Sequence, residues 1–110
     1  MIKNTLSSIE NKIRRTKVLT EVDRGELLRL LGSLKSEISN LAETKAEHAE
    51  SISGFMERST HEATRQEKNP TLLKLAIDGL SASVRGFEAS YPKLVEDVNY
   101  ICTVLARMGI

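Results

Sequence analysis

The stretch from Glu21 to Lys68, EVDRGELLRLLGSLKSEISNLAETKAEHAESISGFMERSTHEATRQEK, decides the fold. It contains no proline, and Leu27, Leu31, Leu34, Ile38, Leu41, Lys45, His48, Ile52, Phe55 and Ser59 follow one another at alternating spacings of 4 and 3. That is a heptad register of about four and a half repeats. At about 1.5 Å per residue an unbroken helix over this stretch would reach roughly 70 Å. A compact domain of this length has a radius of gyration of only about 13 Å. The helix must therefore break, or partners must cover its stripe. Gly54, flanked by Ser51 and Ser53, is the expected break, because glycine costs about 1 kcal/mol relative to alanine inside a helix.

Lys45 and His48 occupy successive positions of an otherwise aliphatic seam. Three readings follow. The seam ends near Leu41 and resumes at Ile52, leaving both side chains in solvent; the two form a polar layer that sets register; or His48 makes the layer responsive to pH. The first is preferred.

Outward from this stretch the pattern stays helical. Ile2, Leu6, Ile9 and Ile13 share one face of a short first helix. Thr20, with Asp23 three residues later, resembles a capping box that starts the second helix. Asn69-Pro70 marks the next start, an N-cap followed by proline at the first helical position. Leu73, Ile77, Leu80, Val84 and Phe87 continue the 4-3 spacing. Ser90-Tyr91-Pro92 interrupts it, because the residue before proline resists the α region. The last helix carries Leu94 or Val95, Val98, Ile101, Cys102, Leu105 and Met108 on more than half of its circumference, and Gly109 stands where a helix ends. It is expected to be the most buried element. The expected architecture is all-α: a short helix, a long or kinked helix and a C-terminal helical hairpin, in a coiled-coil-like or bundle assembly. Residues 1–110 form one domain, with 1–69 as an N-terminal helical hairpin and 70–110 as a C-terminal one.

Composition narrows the function. The chain has 110 residues, a formal net charge of +1, aromatics at 4%, no Trp and one Cys. A dedicated nucleic-acid binder is usually strongly basic, and a lone cysteine excludes an internal disulfide framework. No segment has the roughly 20 apolar residues of a membrane span or the apolar run of a secretory signal, so a cytoplasmic protein is expected. Charge is divided unevenly. Residues 1–20 are net positive, residues 21–69 are net negative and residues 70–110 are balanced. Pairing between the basic first helix and the acidic long helix is expected, each exposed pair being worth about 0–1 kcal/mol.

The chemistry-bearing residues form no recognisable catalytic set. His61-Glu62-Ala63-Thr64-Arg65 is the zinc pattern His-Glu-x-x-His with arginine in place of the second imidazole, and arginine cannot be a ligand. Cys102 lies on the apolar face of the last helix, where a buried inert thiol is usual. No glycine-rich phosphate loop is present. The chain is read as a non-enzyme, with no catalytic residue, no metal site and no cofactor. Lys12, Arg14, Arg15 and Lys17 could touch phosphate, but four charges without interleaved aromatics make a weak nucleic-acid site.

The run Phe87-Glu88-Ala89-Ser90-Tyr91-Pro92-x-Leu94 and the terminal Met108-Gly109-Ile110 resemble the hallmark of domain-of-unknown-function family 4404, small bacterial helical proteins. Tyr91 stands where the family usually has histidine, so no role that needs an imidazole there carries over. The resemblance implies a bacterial source and no particular activity. Physically, Phe87, Ser90, Pro92, Leu94 and Gly109 read as a helical corner, with Ser90 as cap, Pro92 as first turn and Phe87 packed across onto Leu94 or Val95.

The functional expectation is a non-enzymatic interaction module that self-associates as a homodimer, with another protein as a further possible partner. Leu27, Leu31, Leu34, Ile38, Leu41, Ile52 and Phe55 are its candidate seam, since a 70 Å helix (again at about 1.5 Å per residue) would leave that seam uncovered in a monomer. The alternative is an accessory or regulatory nucleic-acid binder using the basic first helix.

Overall fold

Thr20 opens the long segment as expected. Its Oγ1 accepts from the backbone N–H of Asp23 at 3.1 Å, satisfying one of the free amides that a helix start leaves. The computed structural model describes residues 2–108 and contains α1 (Ile2–Arg15), α2 (Glu21–Thr44), α3 (Ala46–Thr64), α4 (Pro70–Ser83) and α5 (Pro92–Met108). Asn69 caps α4 by accepting from Leu72 N–H at 3.1 Å, and Pro70 is its first residue.

The break in the long segment falls at Lys45, not at Gly54. Lys45 has φ −137° and ψ 61°, outside the helical region. The hydrogen-bond ladder nearly survives there. Lys45 N–H donates to Leu41 O at 2.8 Å, and Lys45 O accepts from Ala49 N–H at 3.1 Å. One residue therefore reorients the axis at little cost in backbone bonding. No large apolar side chain lies between Leu41 and Ile52 to hold a straight rod, and the molecule measures only 38 × 24 × 23 Å. Gly54 sits within α3 with open space at its Cα.

Helix α3 is the hub, packing against α1, α2, α4 and α5. Its buried set includes Ala49, Ser53, Ser59, Thr60 and Ala63, small side chains that let neighbouring helices approach from several sides. Ser53 and Thr60 return their hydroxyls to the carbonyls of Ala49 and Met56, each at 2.9 Å. This corrects the expectation that the last helix is the most deeply enclosed. Helix α5 buries Leu94, Val98, Ile101, Val104 and Leu105 but keeps an exposed face at Glu96, Asn99 and Tyr100.

The expected pairing of a basic α1 with an acidic α2 runs the other way. Among the described residues, the ion pair joining them links Lys35 of α2 to Glu10 of α1. The hydrogen bond from Lys35, followed by that from Arg14, holds the Glu10 carboxyl below the usual carboxylate range. Arg24 of α2 reaches the end of α1, donating to Ile13 O, to Arg14 O at 3.0 Å and to Thr16 O at 2.8 Å. A cation there answers both the free carbonyls and the negative end of the helix dipole. At the other end of the chain, Arg107 ties α5 to α2 through Asp23 at 2.7 Å and Glu26 at 3.3 Å. Between them, Asp97 is buried and accepts from Ser33 Oγ at 2.6 Å, with Lys93 at 3.5 Å.

Candidate functional site

The candidate seam residues divide. Leu27, Leu31, Leu34, Ile38, Leu41 and Ile52 are all buried within the chain's own core. They are covered by the protein's other helices, so the uncovered 70 Å stripe that motivated self-association at this seam does not exist. The reason is the turn at Lys45, which folds the second half of the stripe onto the rest of the bundle. Phe55 alone is open, at 41% exposure.

Phe55 belongs instead to an outer face shared with α4. Its ring lies over Gly79 so closely that a Cβ on that glycine would stand 2.4 Å from the ring. Glycine is needed at 79 for this contact between α3 and α4. Leu72, Leu75 and Gly79 follow at 3 and 4 residues on α4 and so lie on one side of the helix. Leu72 is 41% exposed and Leu75 62%. The core side of α4 is a different stripe, Leu73, Ala76 and Leu80. Helix α4 is thus apolar on two sides, one inward and one facing solvent. Lys74 and Asp78 border the outer side and pair at 2.9 Å.

The corner between α4 and α5 is a packed joint. Gly86 has φ +93°, a left-handed turn that disfavours any residue with a Cβ. Phe87 is buried, with its ring edge-on to His48 at 5.2 Å and to Tyr91 at 5.8 Å. Pro92 opens α5 and Leu94 is fully buried. Ser90 is not the cap. It is exposed and lies one residue too early; Tyr91 precedes the helix, and its carbonyl accepts from Val95 N–H at 3.2 Å. Gly109 lies outside the described residues. His48 and Lys45 are both exposed, which matches the solvent reading of the two seam positions, with His48 resting against Phe87.

The four basic residues of the first helix and its exit do not act together. Arg14 is held by Glu10 at 2.9 Å, and Lys17 is exposed beyond the helix end. Lys12 and Arg15 instead face α3 across a cleft of about 490 Å³ that His61, Arg65 and Gln66 also line. Lys12 Nζ stands 3.4 Å from Nδ1 of His61. Arg65 pairs with buried Glu62 at 2.9 Å. The segment whose zinc pattern lacked its second imidazole thus supplies the far wall of a cationic cleft. His61 and Lys12 are 49 positions apart, and no local pattern could have joined them. Among the described residues, no three His, Cys, Asp or Glu side chains gather as a metal site.

Cys102 lies against α4, its Sγ 4.0 Å from Ile77 O. Burial, and secondarily the charge of Asp78, push its thiol up to about 11. That is the wrong direction for a nucleophile, which needs thiolate character. Among the described residues no helix is long and apolar enough to cross a membrane.

A family model described as a domain of unknown function (DUF4404) matches residues 27–110. No curated protein and no solved structure matches the chain.

Proposed function

The chain belongs to the DUF4404 family, and we propose that it is a non-catalytic interaction module that forms a homodimer through the outer face of α3 and α4. The observation that carries this is Leu75, an aliphatic side chain 62% exposed at the middle of α4 and flanked by half-open Leu72 and Phe55. Apolar side chains exposed together as one patch, rather than scattered singly, mark interaction sites.

A second copy is the occupant that the charges favour. A two-fold contact sets a surface against itself, so net charge on that surface repels. On the α4 side of that surface the charges balance, one lysine against one aspartate. Lys74 and Asp78 lie one turn apart beside Leu75, so two antiparallel copies of α4 would place each lysine opposite the other copy's aspartate. The inert environment of Cys102 supports the non-catalytic part of the reading.

Sedimentation velocity tests it. The expected result is a dimer at tens of micromolar that becomes a monomer in Leu75→Glu, with helicity and melting midpoint retained at low concentration. A strictly monomeric wild-type protein at that concentration would sink the proposal, as would a dimer indifferent to Leu75→Glu.

A further inference from the structure

The cleft between α1 and α3 holds cations that the fold leaves without acidic partners. Among the described residues neither Lys12 nor Arg15 enters an ion pair. Arg65, on the opposite wall, is partly neutralised by Glu62. The adjoining hollow places Glu57 and Arg58 beside Lys12 and His61, and these two charges offset one another. The cleft itself, an open hollow between α1 and α3, therefore carries a net positive charge.

Lys12 Nζ stands 3.4 Å from Nδ1 of His61; an imidazole that accepts there carries its ring N–H at Nε2, where it can donate to a ligand. The lysine retains two further N–H donors. Arg15, whose Nε donates to Asn11 O at 3.4 Å, keeps the terminal N–H groups of its planar guanidinium, a fork of the kind that grips a phosphate with parallel hydrogen bonds. We infer that this cleft binds the phosphate group of a small phosphorylated molecule, a sugar phosphate or mononucleotide, with Lys12, Arg15 and His61 donating to its oxygens.

Size and charge select a small ligand over a nucleic-acid strand. The cleft volume, about 490 Å³, falls within the roughly 300–1,000 Å³ typical of small-molecule sites. A strand would need a longer track of charges to withstand salt, and aromatic platforms for its bases. Here Arg14 is engaged by Glu10 on another side of α1, and no Phe or Tyr lines the cleft. The site is separate from the α3–α4 face, so it does not depend on the dimer.

Amide chemical shifts of the intact protein, followed during titration, provide the test. The probes are inorganic phosphate, adenosine monophosphate, adenosine and a twenty-nucleotide oligothymidylate. Phosphate and the monophosphate are expected to saturate one site, shifting residues near 12–16 and 61–66, while adenosine does not bind. Arg15→Gln and Lys12→Gln should each weaken the monophosphate about tenfold. Arg15→Lys should fall between, because it keeps charge and loses the fork. Arg14→Gln should leave binding unchanged. Lys12 is half-buried and Arg15 exposed, so the melting midpoint checks that each variant is folded. Absence of saturable phosphate binding overturns the inference. So does binding of the oligonucleotide alone, weakened equally by Arg14→Gln and Arg15→Gln.

Discussion

Leu31 and Leu75 are both leucines in 3-4 spaced apolar stripes, yet Leu31 is 1% exposed and Leu75 is 62% exposed. The stripe of α2 is closed from within the chain, because α1, α3 and α5 all pack on that helix. The outer stripe of α4 meets Phe55 at Gly79 and leaves Leu72 and Leu75 exposed. Periodicity states that a face must be covered. It does not state whether a neighbouring helix or another molecule covers it. The long heptad looks like a dimer seam and is an internal core, whereas the short α4 is where cover is missing.

The largest expected effect comes from truncating each stripe in turn. Leu34→Ala, fully buried on α2, should cost about 2–5 kcal/mol, as deletion of a packed aliphatic side chain does. Leu75→Ala should alter monomer stability by no more than about 0.5 kcal/mol, as for a surface change. Urea unfolding at low protein concentration measures both. Equal losses would erase the distinction between the two leucines.

A smaller contrast separates two glycines. Gly54→Ala meets nothing within 4 Å and should stabilise α3 by roughly 1 kcal/mol. Gly79→Ala must displace the Phe55 ring, so its melting midpoint should fall below that of Gly54→Ala. A higher midpoint would show that the α3–α4 approach is looser than described.

The last expected effect is alkaline. The unfolded chain releases the Cys102 proton near the ordinary value of 9.0, and the folded chain only near 11. The native state thus holds a proton that the unfolded state has lost, and stability should decline as pH rises through that interval. Cys102→Ala should flatten this part of the stability curve. Native protein should also react with iodoacetamide more slowly than urea-unfolded protein at pH 8.

Much of the fold is legible in the order of residues because helix signals are local. Thr20 and Asn69 cap the helices they were expected to cap, and Pro70 and Pro92 stand at helix starts. The turn at Lys45 is less legible. A 4-3 spacing passes through it unbroken, because the spacing records which side of the chain is buried and not where the axis points. Gly54 has the poorer helix propensity, but it lies within α3, which packing against α1, α2, α4 and α5 holds helical. The candidate site was harder still. Lys12 and Arg15 were visible as cations, but His61 and Arg65 join them only because α1 lies along α3.

Hydrophobic period, caps and the pair of prolines were enough to settle an all-α chain and most of its helix boundaries, since each depends on contacts within about four residues. Which faces meet depends on contacts between distant segments. Only the folded arrangement placed the heptad stripe inside, left Leu72 and Leu75 open, and brought two basic segments 49 positions apart to opposite walls of one cleft.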